Sequence, residues 1–572
     1  MNIFDLQERV LQDYSDFINS YILIADERAE SFVRQALGRQ GNLIPEPLIQ
    51  LSPSYAQGRT VEELVKEGIL SEELSRIFRD RSGNSFRLYK HQEEAILKYL
   101  DNKSFVITSG TGSGKSLCYF IPIFDYILRN PLSNSVTALI VYPMNALANS
   151  QYHALNILKE NYEARYGRAF PITFAKYTGE TTDTERERIR TNPPQLLLTN
   201  YVMAELLLVR PEDRRLLNPN VRSLKFLVFD ELHTYRGRQG ADVAMLIRRI
   251  KERAGASDLI HIGTSATMIA KNQASPYERR QAVAEFASIF FGHPIIVDQV
   301  IEETLLPCTI GGEPTQEELK KSFNEPLPDD AELFRRNPLV RWLEFEVGLE
   351  READGGFKRR VPKTLTEVAE KLAEIVGVDR ESCLNKLKEI LAKAGEIVRK
   401  QGVQTLTFKI HQFISQGRTL YATLEDYSVR VFSMDGQIQA EEGKLLYPIK
   451  FCRNCGQDYY HVIKSDSVFI PHPVGVEPEE EESLAGYLMI AREDSDWSPE
   501  RLPEEWYDAN GRLKRTWKDR VPQPVWVKSD GTFSLEPQSG SIKVWWQREP
   551  FSICLSCGEF YTAKEREFTK LA

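Results

Sequence analysis

The sequence predicts an α/β fold for its first half, a parallel sheet with helices on both faces, preceded by a helical N-terminal segment and followed by an α+β module. Three observations carry this. Short apolar runs (Phe105-Val106-Ile107, Val136 to Tyr142, Ile172 to Tyr177, Gln195 to Thr199, Phe226 to Phe229, Leu259 to Gly263) alternate with longer stretches of helical spacing. Near-continuous apolar strands are the mark of strands buried on both faces, as in parallel sheets. A glycine-rich turn, Ser109 to Ser116, follows the first strand, and an acidic pair, Asp230-Glu231, ends a later one. Ligands of such sheets bind at the carboxyl ends of the strands, where both features fall.

Composition bounds the rest. At 572 residues the chain has room for several domains. Charged residues at 27% and apolar residues at 42% are those of a globular chain rather than a disordered or membrane-spanning one. No apolar run has transmembrane length, and Met1-Asn2-Ile3-Phe4-Asp5 lacks the order of a signal peptide, so no membrane partner and a cytoplasmic location are expected. A net charge of −9 excludes a uniformly basic nucleic-acid coat but leaves room for a local basic groove.

From the N-terminus, Leu6, Val10, Leu11, Tyr14, Phe17, Ile18, Tyr21 and Ile22 recur at helical spacing and predict one or two amphipathic helices. A proline-containing connector follows from Asn42 to Gly58. Thr60-Val61-Glu62-Glu63 and Ser71-Glu72-Glu73-Leu74 then read as helix starts, the first with a capping box. Residues 1–85 are expected to form an accessory helical region. Gln92 opens a helix shortly before the glycine-rich turn. Its amide can pair with the N6 and N7 edge of adenine, although taken in isolation an ordinary helix-surface glutamine is the better reading.

In the turn, Gly110, Gly112 and Gly114 let successive N–H groups point inward, and the helix expected from Leu117 to Leu128 adds its positive dipole end. With Thr111 and Ser113 completing the loop, Lys115 neutralises β/γ-phosphates and the Ser116 hydroxyl ligates Mg2+ in this arrangement. The strict pattern has glycine at the position of Ser109. Further helices are expected at Asn145 to Tyr166, Asp183 to Arg190, Tyr201 to Val209 and Gly240 to Ala254. Asp230, at a strand end beside a phosphate loop, suits Mg2+, and Glu231 suits the orientation and deprotonation of a water.

Gln92, Ser109 to Ser116, Tyr142-Pro143-Met144-Asn145-Ala146-Leu147-Ala148 with Gln151, Thr178-Gly179-Glu180, Leu198-Thr199-Asn200, Asp230-Glu231-Leu232-His233 and Ser265-Ala266-Thr267 stand in one order and spacing. In these, residues 86–298 resemble superfamily 2 helicases of the DEAD/DEAH type. The resemblance implies a RecA-like ATP-binding lobe, with ATP and Mg2+ held by Lys115, Ser116 and Asp230 and water directed by Glu231. It further implies that His233, Ser265 and Thr267 couple nucleotide to nucleic acid. Asn145, Thr178, Gly179, Thr199 and Asn200 would then follow a sugar-phosphate backbone, without regard to sequence. More narrowly, Asp230 to Gly237 and Tyr142-Pro143 resemble bacterial DNA-repair helicases with a cysteine-rich C-terminal region, a branch that includes Druantia-type anti-phage helicases. The expected partner is single-stranded or forked DNA. Arg236, Arg238, Arg248, Arg249 and Lys251 can line a track or form a solvated helix face.

Residues 299–430 read as a charged, proline-rich connector with one or two helices, then helix from Thr364 to Arg399 and short strands. A winged-helix-like module and a plain packing domain both fit. In residues 431–572, Cys452-Arg453-Asn454-Cys455-Gly456 and Cys554-Leu555-Ser556-Cys557-Gly558 are near copies. Each reads as a knuckle, and two knuckles make a four-thiolate site suited to structural Zn2+, with an iron–sulfur cluster as the alternative. Cys118, Cys308 and Cys383 read as buried small hydrophobes. The aromatic insert between the knuckles suggests β structure, and Trp545-Trp546 fits core packing better than base stacking. Glu477 to Glu482 reads as a solvated loop. After residue 300 no second RecA-like lobe and no convincing arginine motif is legible. In the resembled branch a cysteine-rich insertion precedes that lobe, so the chain is expected to be the ATP-binding lobe of a helicase whose second lobe lies in a longer protein or another subunit. The rivals are a nucleotide-gated clamp without turnover, an RNA helicase, and a phosphate-loop enzyme unrelated to nucleic acid.

Overall fold

The computed structural model describes residues 3–21, 23–37, 44–110, 112–132, 134–217, 223–255, 258–266, 275–414, 419–472, 484–492, 497–561 and 568–569. The chain forms two compact units, one of Pro53–Ile310 with Glu344–Arg360, the other of Met1–Ser52, Gly311–Leu343 and Val361–Ala572.

The first unit is built on a sheet of seven strands: β1 (Phe105–Thr108), β2 (Ala138–Tyr142), β3 (Phe174–Tyr177), β4 (Leu196–Asn200), β5 (Phe226–Phe229), β6 (Ile260–Ser265) and β7 (Val300–Glu302). They lie in the order β7-β1-β6-β5-β2-β4-β3, every pair parallel. Six match the apolar runs of the sequence within a few residues. β7, only three residues long, has no comparable signal. Strand alternation sends Phe105, Ile107, Phe226 and Val228 into one apolar cluster and Val106, Leu227 and Phe229 into another on the opposite face. The first cluster is closed by α1 (Lys90–Leu100), α2 (Leu117–Arg129) and α3 (Asn145–Tyr166). α4 (Asp183–Thr191), α5 (Tyr201–Val209), α6 (Gly237–Ala254) and α7 (Pro276–Phe291) close the second. Burying each large apolar side chain here contributes about 1.5–3 kcal/mol. All strands being parallel, their carboxyl ends share one edge, and the connecting loops gather there.

The capping box at Thr60 and Glu63 forms as the sequence implies. Between residues 300 and 360 the structure has more order than a connector. Leu349–Arg351 and Phe357–Arg359 form an antiparallel hairpin. Leu305, Phe345 and Leu349 make a small core with Tyr55 and Phe357. The Glu344 carboxylate accepts from the N–H groups of Cys308 (2.7 Å) and Thr309 (2.9 Å). Apolar residues too few to make a periodic pattern thus suffice once a buried carboxylate satisfies the adjoining backbone.

The second unit contains the helices Ile3–Tyr21 and Glu27–Leu37, as amphipathic spacing predicts. Leu48–Ser52, in the expected connector, is the central strand of an antiparallel sheet between Lys363–Thr364 and Thr407–His411. Thr364 to Arg399 is two helices, Leu365–Val376 and Arg380–Gln401, divided at Gly377, whose φ of +77° ends the first. A ten-stranded antiparallel sheet follows, the β structure that the aromatic composition suggests. Ile24, Ala29 and Val33 pack into its core beside Leu420, Tyr447 and Phe451. Buried Arg430 pairs there with Asp458 (2.5 Å) and Asp26 (3.2 Å), linking segments far apart in sequence. Trp545 and Trp546 are buried against Trp497 (5.0 Å) and Phe469 (5.2 Å), as core residues are. Glu477 to Glu482 lie outside the described residues.

Candidate nucleotide site and cysteine cluster

The loop after β1 is shaped by glycine where the backbone demands it: Gly112 at φ +86° and Gly114 at +72° occupy the left-handed region. Ser109 bridges the loop to Ser113 through their hydroxyls (2.5 Å), which accounts for serine at a position where the usual pattern has glycine. From below, Gln92 Nε2 donates to the Gly114 carbonyl (2.9 Å), its Oε1 accepts from Tyr89 N–H (2.9 Å), and His91 Nε2 lies 3.0 Å from the Ser113 carbonyl. The Gln92 amide therefore braces the loop with both of its ends. Ser116 is the N-cap residue of α2 and makes no side-chain capping bond.

Lys115 folds back across the loop, its ammonium 3.2 Å from the Ser109 carbonyl and 3.3 Å from Glu231 Oε1. Asp230, at the end of β5, is buried and receives a hydrogen bond from the Thr264 hydroxyl. Burial pushes its pKa up to about 6, against the lowering effect of that bond. Glu231 adopts φ +53°, ψ +55°, a left-handed conformation costly for a residue with a Cβ and most often found at functional sites. The same Thr264 hydroxyl accepts from Glu231 N–H (3.2 Å), so one side chain of β6 fixes both acids. His233 Nδ1 lies 3.3 Å from Glu231 Oε2 and 3.2 Å from the Ser265 hydroxyl, and burial holds its pKa below the usual value.

Further along the same edge, Asn200 Nδ2 donates to Asn145 Oδ1 (2.6 Å), and Asn145 Nδ2 to Glu180 (3.3 Å). Asn200 Oδ1 also caps α5 by accepting from Met203 N–H (2.8 Å). Gly179 is exposed with open space around it, whereas Thr178 and Thr199 are fully buried. The Thr199 hydroxyl donates to the Tyr177 carbonyl (2.7 Å). The phosphate-type loop and the two acids thus sit over β1, β5 and β6, and the asparagine network over β2, β3 and β4.

The DEAD/DEAH box helicase family matches residues 89–275. Residues 89–275 form a DEAD/DEAH box helicase domain. The curated relatives include the Druantia protein DruE of Escherichia coli (strain UMEA 4076-1), 27% identical over 44% of this chain and 20% of that protein. The uncharacterized ATP-dependent helicase YprA of Bacillus subtilis (strain 168) is 32% identical over 38% of this chain and 27% of its own length. The ATP-dependent helicase Lhr-Core of Methanothermobacter thermautotrophicus is 30% identical, over 31% and 21% respectively. The chain spans between 20% and 27% of the length of these relatives. Among solved structures, the DUF1998 helicase MrfA bound to DNA matches 59% of this chain and 42% of that chain, at 22% identity and a TM-score of 0.35.

The helicase family implies ATP and Mg2+, and the donor set around the loop suits them: a lysine, a helix N-terminus with a serine hydroxyl, and a carboxylate at a strand end. The structure brings together Gln92, Gly110, Gly112 to Ser116, Asp230, Glu231, His233 and Ser265 at one end of the helicase-domain sheet. Thr111 and Thr267 lie outside the described residues. Sequence reasoning passed over the Thr264 hydroxyl, although it adjoins Ser265 in the motif. It also passed over Glu303 and Arg359, which have no local signal: Gly110 N–H donates to Glu303 Oε2 (2.8 Å), and Arg359 Nε donates to Glu303 Oε1 (2.6 Å).

In the second unit the four knuckle cysteines converge. The sulfurs of Cys452, Cys455, Cys554 and Cys557 all lie within 4.8 Å of one another. The knuckles share one hydrogen-bond pattern: Gly456 N–H to the Cys452 carbonyl and Gly558 N–H to the Cys554 carbonyl, each 2.8 Å. Both glycines have positive φ, +75° and +79°. A single tetrahedral ion with metal–sulfur bonds of about 2.3 Å needs sulfurs about 3.8 Å apart, close to the 3.6 Å between Cys455 and Cys554 and the 4.0 Å between Cys452 and Cys557. The Tyr459 hydroxyl donates to the Cys554 sulfur (3.2 Å), and the Tyr561 hydroxyl lies 3.1 Å from Cys452, groups suited to support thiolates. Cys118, Cys308 and Cys383 are buried and stand apart from this cluster, as expected. No helix among the described residues is long and apolar enough to cross a membrane.

Proposed function

We propose that this chain is the ATP-binding lobe of an ATP-dependent DNA helicase or translocase. It works with a second RecA-like lobe supplied by a longer protein or by another subunit. The observation that carries the reading is the convergence of Lys115, Glu231 and Asp230 on the phosphate-type loop, with Glu231 in a strained conformation beside Lys115. Lys115 and Ser116 hold the phosphates and Mg2+ with Asp230, and Glu231 orients and deprotonates the attacking water. His233, between Glu231 and Ser265, couples that event to the nucleic-acid track. Exposed Gly179 and the half-buried amides of Asn145 and Asn200 supply the track, and Thr178 and Thr199, being buried, act through the backbone. Recognition of the sugar-phosphate chain makes binding independent of sequence.

DNA is preferred to RNA because Asp230 to Gly237 resembles the DNA-repair and anti-phage defence branch, and the proposed role is in one of those two processes. The thiolate cluster holds one structural Zn2+. An iron–sulfur cluster, with its several irons, would spread the cysteine sulfurs further than their spacing here. The domain organisation we propose has the ATP-binding lobe at 86–298, to which the fold adds β7 (Val300–Glu302), the segment Glu344–Arg360 and the part of the accessory region 1–85 that follows Ser52; the rest of 299–430 is a mixed module and 431–572 the zinc module.

The test is ATP hydrolysis with and without single-stranded DNA, beside Glu231→Gln. DNA-stimulated turnover lost in the variant supports the motor. ATP binding with no turnover, even beside a supplied second lobe, selects the clamp, and stronger stimulation by matched RNA selects an RNA motor.

A further inference from the structure

The hairpin ending at Arg359 is pinned to the helicase unit at several points. Arg279 Nη1 donates to Glu352 (2.7 Å), Arg360 Nε to the Phe345 carbonyl (2.6 Å), and Phe357 joins the Leu305–Phe345–Leu349 core. This fixes Arg359 over the leading arm of the phosphate loop. A Cβ on Gly110 would meet Arg359 Cζ and Nε at 2.8 Å, so glycine is what admits the guanidinium. The guanidinium donates to both Glu303 oxygens (2.6 and 3.3 Å) and to the Tyr55 hydroxyl (2.5 Å). Glu303 in turn accepts the Gly110 N–H. An anionic carboxylate is thus already clasped between a loop N–H and an arginine fork, the pair of donors that also suits a phosphoryl group.

The position along the loop says which phosphate. Lys115, the group that reaches β- and γ-phosphates in such loops, ends at Ser109 and beside Glu231, and Gly110 is the next residue. Arg359 therefore borders the terminal-phosphate end. We propose that Arg359 is a nucleotide-contacting residue that reads the terminal phosphate of ATP, exchanging the Glu303 carboxylate for phosphoryl oxygens. This rests on the ATP-binding reading above. During hydrolysis the water oxygen bonds to the γ-phosphorus, the bridging oxygen leaves with its electron pair on the β-phosphate, and the water proton passes to Glu231. Arg359 offsets the charge on the γ-oxygens from within the first lobe.

The experiment is fluorescence titration of the full chain with N-methylanthraniloyl-ATP and -ADP in Mg2+, every protein carrying Glu231→Gln to prevent turnover. Arg359→Ala should weaken the triphosphate about tenfold and leave the diphosphate within about twofold, Arg359→Lys should recover part of the loss, and Lys115→Ala should weaken both. If Arg359→Ala and Arg359→Lys keep the parent ratio of the two affinities while Lys115→Ala weakens both, Arg359 is only a brace and the proposal falls, with ATP binding intact. If Lys115→Ala changes neither affinity, the ATP reading itself falls and takes the proposal with it.

Discussion

The Lys115 ammonium lies 3.3 Å from the Glu231 carboxylate, and Glu231 adopts φ +53°. In the proposed reading Lys115 binds phosphate and Glu231 directs the attacking water, and the acid stands beside that lysine. Glu231→Gln keeps the side chain's shape and removes its basicity. It should lower ATP turnover by about 10²–10⁴-fold while ATP affinity changes little. Steady-state hydrolysis beside equilibrium nucleotide binding checks this, and a variant that hydrolyses at the parent rate would remove Glu231 from the mechanism.

The Thr264 hydroxyl serves both acids at once, donating to Asp230 and accepting from Glu231 N–H. Thr264→Val is nearly isosteric but leaves a buried carboxylate without that donor, at a cost of about 1–3 kcal/mol. Turnover should fall and the melting temperature should drop. Thr264→Ser should recover most of both, read by calorimetry and ATPase assay.

His261 on β6 is buried against Phe291 and His293, and burial, with Lys251 and His293 adding to it, depresses its pKa to about 3. Because the folded pKa lies below the unfolded one, the unfolded chain takes up a proton first as pH falls. The helicase unit should therefore hold its full His261 contribution above about pH 6.5 and lose it progressively toward pH 3. His261→Gln should flatten the dependence of urea midpoint on pH across that window. An unchanged slope would mean that another group sets the acid sensitivity.

The four-thiolate cluster predicts one metal ion per chain and no visible absorption band, as for Zn2+. Cys554→Ser or a strong chelator should release the ion and unfold the surrounding β structure, since binding energy at such sites is folding energy. Metal analysis with near-UV circular dichroism of the aromatic-rich insert reads both effects. Stoichiometric iron with a coloured protein would replace zinc by iron.

Asn145 and Asn200 form one network at the strand ends (2.6 Å). Asn145→Ala should weaken single-stranded DNA binding several-fold and equally across sequences, the signature of backbone contact. Asn200→Ala should do the same and in addition cost about 0.5–2 kcal/mol of stability through the lost cap of α5. A sequence-dependent loss in Asn145→Ala would point instead to base contact.

What the sequence determined by itself is local. The strand–loop–helix around Lys115, the apolar strands, the strand-end acids and the paired knuckles each lie within a few consecutive residues, where backbone conformation and side-chain chemistry are set by near neighbours. The convergence of the two knuckles also followed, because a thiolate pair is incomplete without a second pair. What only the tertiary structure decided are the encounters across long chain separations: Glu303 on Gly110, Arg359 on Glu303, Thr264 on both acids, and Leu48–Ser52 between strands more than three hundred residues downstream. A single arginine in a charged stretch has no periodicity to mark it. Its partner is chosen by the packing of a three-residue strand and a short hairpin, whose stability comes from the assembled core rather than from their own sequence.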